Sequence, residues 1–253
     1  MSLLRVEGLG IRFGGVQAIQ DLNFAIEAGT IHSIIGPNGA GKTTLFNLIT
    51  GVYRPTEGAI FLDDTPIAGK KPHDLARMGL SRTFQNLRVM MNMSALDNVM
   101  IGRHLHLNRN LLACLVRWPS ITRGDRAARK TCTELMDLVG LSAYRDAEAN
   151  ALPYGALKRL EIARALAAEP RLLLLDEPAA GLNAAETREI DEVIVRVAQS
   201  GVTVVLVEHD MKLVMGISDH ILVLDHGRKL AEGTPETVRN DPAVIAAYLG
   251  AVA

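Results

Sequence analysis

The fold of this chain is decided by the stretch Gly36-Pro37-Asn38-Gly39-Ala40-Gly41-Lys42-Thr43-Thr44. It fits the pattern G-x-x-x-x-G-K-[ST], follows an apolar run at 31–35, and precedes a helix-like segment at 45–49. The glycines let backbone N–H groups converge on one anion, and the following helix adds the positive end of its dipole. We therefore predict a nucleotide-phosphate loop in which Lys42 reaches the β- and γ-phosphates and Thr43 reaches Mg²⁺. The alternative is a glycine-rich turn before a core helix.

The bulk properties are those of an ordinary globular protein. The chain has 253 residues, of which 48% are hydrophobic and 22% charged, enough for one large domain or a domain with a smaller lobe. A formal net charge of -1 creates no field that recruits nucleic acid, so we predict no nucleic-acid partner. Cys114 and Cys132 match no metal or redox spacing and predict reduced thiols in a cytosolic protein. We find neither a signal-peptide pattern nor an apolar run that spans a bilayer.

Hydrophobic periodicity predicts a parallel sheet with an antiparallel piece before it. Residues 3–12 and 19–27 alternate apolar and polar side chains, which predicts two antiparallel strands around the turn Phe13-Gly14-Gly15. Nearly continuous apolar runs predict buried strands of a covered sheet, at 30–35, 172–175 and 202–207. Two further segments predict a strand with an acidic turn and a helix, at 59–64 and 184–199 respectively.

The middle of the chain has a different texture. From about residue 87 to 162 strand-like runs vanish, and residues 125–140 predict a helix with Leu135, Leu138 and Val139 on one face. We therefore predict an α/β fold. Its nucleotide-binding core with the antiparallel β subdomain covers 1–86 and 163–253, and an inserted helical subdomain covers 87–162.

A second chemical pattern is Leu172-Leu173-Leu174-Leu175-Asp176-Glu177-Pro178, an apolar strand that ends in two carboxylates and a proline. Near the phosphate loop, Asp176 is predicted to hold Mg²⁺ directly or through water. Glu177 is predicted to orient or deprotonate a water aimed at the γ-phosphorus. An acidic turn after a strand is the alternative, and the phosphate loop favours the catalytic interpretation.

Residues 152–166 read L-P-Y-G-A-L-K-R-L-E-I-A-R-A-L. This segment resembles the signature of ATP-binding-cassette (ABC) ATPases, a short glycine loop followed by a helix with the pattern x-x-R-x-x-I-A-R-A-L. The resemblance implies a P-loop NTPase core in which Tyr154 and Gly155 close over the γ-phosphate held by a partner subunit, an anion site at a helix N-terminus. The chain departs from the usual loop at Pro153 (usually serine), Tyr154 (usually glycine) and Ala156 (usually glutamine). Taken alone, the segment also reads as an amphipathic helix after a turn.

Single positions elsewhere match the ABC pattern. The resemblance implies that Gln85 contacts Mg²⁺ and water and links the core to the helical subdomain, and that His209 touches the γ-phosphate. Phe13 lies where the family carries an aromatic that stacks on adenine, although a core phenylalanine is the alternative. Residues 180–183 occupy the loop that crosses the dimer interface, where Asn183 replaces the usual aspartate. A polar strand cap and a structural histidine are the alternatives for Gln85 and His209.

The closest likeness is narrower than the superfamily. Residues 154–155, 176–183, 208–215 and 248–250 resemble one ATPase subunit of bacterial branched-chain amino-acid (Liv-type) importers, and urea, amide and lipopolysaccharide-export ATPases share much of the pattern. The resemblance implies two ATP·Mg²⁺ sandwiched with an ABC ATPase partner, in a homodimer or heterodimer that closes on ATP and reopens after hydrolysis. It further implies transmembrane permease subunits, indirectly a solute-binding protein, and a peripheral place on the cytoplasmic face of the inner membrane.

Three rival functions explain the sequence less well. A non-transport ABC ATPase usually carries two cassettes or long coiled coils, and this chain has one phosphate loop and no sustained heptads. A module that binds ATP without hydrolysing it is supported only by Pro153 and Asn183. Another P-loop enzyme, such as a small-molecule kinase, leaves residues 152–166 unexplained.

The segment 103–124 is longer than a minimal cassette needs. Leu111, Leu115 and Trp118 fall on one helical face, which packing in the helical subdomain, a membrane subunit or the bilayer could cover. A methionine-rich stretch, 90–93, predicts either a docking groove for a cytoplasmic helix or core filling.

Overall fold

The computed structural model describes residues 2–85, 87–106 and 119–249. The strands of this part are β1 Ser2–Phe13, β2 Val16–Glu27, β3 Ile31–Ile35, β4 Glu57–Leu62, β5 Thr65–Pro66, β6 Leu80–Arg82, β7 Leu172–Asp176, β8 Thr203–Val207, β9 His220–Asp225 and β10 Arg228–Gly233. Its helices are α1 Lys42–Ile49, α2 Pro72–Arg77, α3 Ala95–Gly102, α4 Pro119–Leu138, α5 Tyr154–Leu166, α6 Ala184–Gln199, α7 Met211–Ile217, α8 Pro235–Arg239 and α9 Pro242–Leu249.

A six-stranded sheet has the strand order β10-β9-β3-β8-β7-β6. β6, β7, β8, β3 and β9 are parallel, and β10 pairs antiparallel with β9. Every residue of β3, β7 and β8 is buried, as expected of strands covered on both faces, and the three predicted core strands are confirmed. Because parallel strands end at one edge of the sheet, the segments that follow β3, β7 and β8 meet there.

A second sheet, ordered β2-β1-β4-β5, is antiparallel throughout. The predicted hairpin is confirmed, with Phe13 paired to Val16 across a turn in which Gly14 has a φ of 56°. Asp63 and Asp64 form the predicted acidic turn after β4, both with positive φ. The apolar faces of β1, β2 and β4 share one buried core with α1.

The helices α3, α4, α5 and α6 share a second core with the other face of β7 and β8. The predicted helix at 184–199 is confirmed as α6. The helix predicted at 125–140 is longer: α4 begins at Pro119 and ends at Leu138, and Gly140 follows with a φ of 71°. Periodicity missed its first turns because the residues after Pro119 are mostly polar, with no regular apolar stripe.

Some predictions fall beyond these observations. The boundary predicted between residues 162 and 163 lies inside α5, which is continuous, so the division into subdomains stays a prediction. The apolar face of Leu111, Leu115 and Trp118 lies outside the described residues, as does Cys114. Within the described part of the chain, no helix is both long enough and apolar enough to cross a membrane.

Candidate active site

The phosphate loop, residues 36–44, connects the end of β3 to α1. Gly36 and Gly41 have φ values of 153° and 103°, which side chains rarely adopt. A Cβ at Gly36 would lie 2.1 Å from the carbonyl oxygen of Leu224, and one at Gly41 would lie 2.9 Å from that of Ala18. Only glycine therefore fits at these two positions of the loop.

The loop forms one wall of a cleft of about 410 Å³. β2, the loop and the segments after β7, β8 and β9 line it, through Val16, Gln17, Ala18, Asn38, Gly39, Ala40, Gly41, Lys42, Thr43, Thr44, Glu177, His209 and His226. Gly41 precedes α1 and has no side chain to cap the first N–H groups of the helix. These N–H groups and the positive end of the helix dipole make this wall attractive to an anion.

Lys42 is the cation of the cleft wall, and its side chain is almost fully buried. Its Nζ donates hydrogen bonds to the carbonyl oxygens of Gly36 and Pro37, at 2.6 and 3.0 Å. Burial lowers the pKa of Lys42, and the negative charge of Glu177 opposes that shift. The ammonium group is thus held against the loop and faces the Glu177 carboxylate.

Glu177 contacts two other residues that sequence analysis predicted for the site from separate segments, His209 and Gln85. Its Oε1 lies 2.9 Å from Nε2 of His209, and its Oε2 accepts a hydrogen bond of 3.2 Å from Nε2 of Gln85. Glu177 has a φ of 49°, an uncommon backbone conformation that residues at functional sites often adopt. A carboxylate held between two side chains can accept a proton from a water beside the phosphate loop.

Asp176 is the last residue of β7, and its carboxylate is paired with Arg82, a contact that sequence analysis missed. Nη2 of Arg82 donates to Oδ2 of Asp176 at 2.7 Å, and both side chains are less than a tenth exposed. The register explains the contact, since Arg82 of β6 lies opposite Leu174 of the parallel strand β7. The only sequence signal for this contact was the presence of an arginine three residues before Gln85.

Glu208 is another residue to which sequence analysis assigned no role. It is buried and accepts hydrogen bonds from the backbone N–H groups of Ala179 and His209, at 2.8 and 3.1 Å. Burial raises its pKa, and the charge of Glu177 raises it further, while the backbone donors oppose both. Glu208 therefore ties the segment after β7 to the segment after β8 and fixes the neighbourhood of His209.

Tyr154 and Gly155 open α5 and are not among the residues that line the cleft. A Cβ on Gly155 would lie 2.9 Å from Oε1 of Glu186, in the first turn of α6. The ring of Tyr154 is exposed and packs against Gly181. The predicted signature and interface loops are thus neighbours in the folded chain, on a surface of their own.

Phe13 also lies outside the residues that line the cleft. It is exposed at the β1–β2 turn, and its ring meets Tyr53 edge to face, with centroids 5.1 Å apart. The neighbouring residues Val16 and Gln17 of β2 line the cleft instead, so the role predicted for Phe13 stays a prediction.

A family model described as "ABC transporter" matches residues 19–180 of the chain, and one described as "Branched-chain amino acid ATP-binding cassette transporter" matches residues 228–253. The chain belongs to the ABC transporter family. The predicted resemblance is confirmed, and nucleotide binding follows from it. The predicted transport ATPase is confirmed at the level of the family.

Two relatives and two solved structures place the ABC cassette in context. The chain is 48% identical to the high-affinity branched-chain amino acid transport ATP-binding protein BraF of Pseudomonas aeruginosa and 46% identical to LivG of Escherichia coli K12, over 98% of each chain. A crystal structure of an ABC transporter cassette in its ADP conformation matches with a TM-score of 0.86, 31% identity and 99% coverage of both chains. A dimeric cassette bound to ADP and Pi matches with a TM-score of 0.73 and 25% identity, over 92% of this chain and 98% of that one. The predicted ABC ATPase fold is therefore confirmed.

Proposed function

We propose that this chain is the ATP-hydrolysing subunit of an importer for branched-chain or other amino acids. The observation that carries the proposal is the convergence of Gln85, Glu177 and His209 beside the phosphate loop and Lys42. The substrate class is supported by the match of residues 228–253 and by the names of the bacterial relatives.

The phosphate loop binds the nucleotide. Backbone N–H groups of the loop, those of residues 38–44, bind the β- and γ-phosphates, and the dipole of α1 adds positive potential. Lys42 exchanges its bonds to the loop carbonyls for phosphate oxygens, which attract its compact positive charge. The proposed adenine contact is Phe13, the last residue of β1, whose ring meets that of Tyr53.

The donors near the loop fit Mg²⁺, which prefers hard oxygen ligands and few protein contacts beside phosphate and water. Thr43 supplies a hydroxyl from the first turn of α1, Asp176 a carboxylate from the end of β7, and Gln85 an amide oxygen. When bound, Mg²⁺ neutralises charge on the β- and γ-phosphates.

Glu177 carries the hydrolytic step. Its carboxylate takes a proton from a water whose oxygen attacks the γ-phosphorus, and the bond from that phosphorus to the β,γ-bridging oxygen breaks to give ADP and phosphate. His209 keeps Oε1 of Glu177 in place and is near enough to the cleft to donate to the γ-phosphate. Gln85 fixes Oε2 from the opposite side.

The working site needs a partner cassette. Tyr154 and Gly155 lie on a surface separate from the cleft, so the N-terminus of α5 reaches a γ-phosphate when it belongs to another ABC ATPase. The dimeric cassette among the structural neighbours supports this arrangement. The partner is either a second copy or a related subunit.

A groove of about 370 Å³ supports a permease contact. It lies between the strand β6 and helix α2 on one side and helices α3 and α5 on the other, and its lining is mostly apolar. Phe84 and Ile101 line it and are exposed, and Met90 and Met91 are exposed nearby in the chain. Such a surface suits a short cytoplasmic helix of a transmembrane permease subunit.

The remaining parts of the proposal concern the assembly. A cassette that docks on permease subunits lies peripherally on the cytoplasmic face of the inner membrane, and a solute-binding protein on the other side delivers the solute. Residues 1–86 and 163–253 form the nucleotide-binding core in this proposal, and residues 87–162 form the helical subdomain.

The experiment is uptake in proteoliposomes that contain the chain with its co-purified membrane subunits and binding protein. Labelled leucine should accumulate with ATP inside and should stop accumulating with Lys42→Ala. The matched control is Lys130→Ala, which removes an exposed lysine of α4 that forms an ion pair with Glu134. ATP-driven uptake of a different solute would contradict the substrate class alone, whereas ATP-independent uptake would contradict the proposed function.

A further inference from the structure

One side chain, Arg82, reaches both the metal-side carboxylate and the apolar groove. It is the last residue of the short strand β6 and lines the groove together with Phe84. Its guanidinium group is paired with the carboxylate of Asp176. The proposed function assigns no role to it.

The guanidinium group makes three hydrogen bonds in one plane. Nη2 donates to Oδ2 of Asp176 at 2.7 Å, and Nη1 donates to Oδ1 of Asn47 at 2.7 Å and to Oγ1 of Thr50 at 3.1 Å. Asn47 and Thr50 belong to α1 and its C-terminal cap, so Arg82 is anchored to the helix that begins at the phosphate loop. The bond uses one lone pair of Oδ2 and orients the carboxylate, so that Oδ1, which takes no part in this bond, can be offered to a metal.

The same guanidinium group lies over two aromatic rings. Its central carbon lies 5.5 Å from the ring centroid of Phe46, a fully buried residue of α1, and 5.5 Å from that of Phe84. Phe84 is 46% exposed and forms part of the groove wall. A helix seated in the groove would touch Phe84, and Phe84 touches the group that holds Asp176.

We propose that Arg82 is a positioning residue that orients Asp176 toward the nucleotide's metal and connects that carboxylate to the groove wall at Phe84. The inference rests on the proposed function, in which the metal lies at Asp176 and a permease helix lies in the groove. A rigid guanidinium that contacts both cannot tilt for one without moving against the other. The connection is reciprocal. Binding of the metal–nucleotide complex changes the affinity of the groove for its helix by the same factor by which an occupied groove changes the affinity for the metal–nucleotide complex.

The first test measures ATP binding to the purified full chain by calorimetry, with excess Mg²⁺ and with EDTA. The readout is the Mg²⁺ enhancement, the ratio of the Kd in EDTA to the Kd in Mg²⁺. Arg82→Gln should lower this enhancement about 10-fold, as removal of a group that orients a metal ligand does, and leave the Kd in EDTA within about 2-fold. An enhancement equal to that of the unaltered chain overturns the proposal.

Arg88→Gln is the matched control. The guanidinium of Arg88 also faces the Phe84 ring, at 5.8 Å, and is exposed. It contacts the same groove residue without a hydrogen bond to Asp176, so its enhancement should stay within about 2-fold of the unaltered chain. A loss equal to that of Arg82→Gln overturns the assignment to Arg82. If the unaltered chain itself shows no enhancement, the proposed metal at Asp176 fails, which is a different result.

The connection to the groove is tested by a double-mutant cycle. Phe84→Ala should change the Mg²⁺ enhancement about 3-fold in the unaltered chain and leave it unchanged in Arg82→Gln, because the second chain lacks the connecting group. Equal effects in the two backgrounds, or none in the first, overturn the connection.

Arg82→Gln leaves Asp176 buried without its partner, which can prevent folding, so circular dichroism accompanies each variant. If Arg82→Gln does not fold, the test uses Arg82→Lys, which retains the positive charge. A lysine ammonium cannot donate to Asp176, Asn47 and Thr50 in one plane, and the enhancement should still fall at least about 3-fold. A folded Arg82→Lys chain with the original enhancement overturns the proposal.

Discussion

Replacement of Glu177 by glutamine removes the proposed proton acceptor while preserving the size and shape of the side chain. Glu177 accepts from Gln85 through Oε2 and faces Nε2 of His209 through Oε1, at 3.2 and 2.9 Å. A glutamine can still accept from Gln85 through its amide oxygen, and its NH₂ group then faces Nε2 of His209. The bond to His209 is lost when that nitrogen carries the proton. The lost hydrogen bond costs about 1.5 to 3 kcal/mol, because its acceptor is a carboxylate. The phosphate loop keeps all its residues, and Lys42 loses the negative charge that opposes the lowering of its pKa by burial.

The loss of a positioned base is much larger. It should lower turnover about 10²- to 10⁴-fold, which corresponds to about 3 to 5 kcal/mol of transition-state stabilisation. ATP binding should change by less than about tenfold, since one hydrogen bond of the cleft is disturbed and no group proposed to contact the phosphates is replaced. The variant should therefore hold ATP in a closed pair of cassettes that sedimentation detects with ATP·Mg²⁺ and not with ADP.

The assay compares ATP turnover in the complete transporter with ATP affinity by calorimetry. Glu192→Gln is the matched control, because it makes the same chemical change on the exposed face of α6, where Glu192 pairs with Arg196. It should leave turnover and affinity as they are. Turnover at the original rate in Glu177→Gln would refute the role of Glu177, and a parallel collapse of ATP affinity would show that the carboxylate shapes the cleft instead.

Three other positions carry separate predictions. Lys42→Ala should weaken ATP binding more than AMP binding in calorimetry, because Nζ serves the β- and γ-phosphates, and equal losses would contradict that contact. Gly155→Asp should abolish ATP hydrolysis in the complete transporter, because it places a negative charge at the partner's γ-phosphate. The control Gly155→Ala adds the same Cβ without a charge and should retain part of the hydrolytic activity. If Gly155→Asp were active, this loop would be excluded from the site. Burial, and secondly the charge of His220, lower the pKa of His32 to about 4. Between pH 6.5 and pH 4 the unfolded chain therefore binds more protons than the folded chain. The free energy of unfolding should fall by up to about 3 kcal/mol as the pH drops through this range. His32→Gln should flatten that part of a denaturation–pH profile and the exposed His73→Gln should not, while an unchanged profile in His32→Gln would contradict the assignment.

The cleft could be predicted from the sequence because its parts follow from local patterns and one rule of topology. The phosphate loop has a fixed spacing, and Glu177 and His209 each follow a run of apolar residues. Parallel strands end at one edge of a sheet, so residues after β7 and β8 had to approach the loop after β3. The contacts of Glu177 with Gln85 and His209 agree with that expectation.

What the sequence left out depends on register and on packing between distant segments. The pairing of Arg82 with Asp176 requires that β6 lie beside β7 with Arg82 opposite Leu174, which no pattern within β6 reveals. Glu208 resembles any polar residue after a strand until its two backbone donors are known. The start of α4 at Pro119 has no sequence signal either, because the residues of its first turns are mostly polar and the buried apolar stripe of this helix, Ala128, Cys132 and Met136, begins later.

The departures from the usual signature have a structural reading in this chain. Pro153 precedes α5 and supplies no side-chain acceptor, so the first N–H groups of that helix keep their capacity to bind an anion. Asn183 uses Oδ1 to accept the N–H groups of Ala185 and Glu186, and Glu186 returns a bond to the Asn183 N–H. Glu186 also packs against Gly155, so the starts of α5 and α6 form one unit. We therefore expect the chain to offer its partner backbone N–H groups on a rigid support, where other cassettes offer a serine hydroxyl.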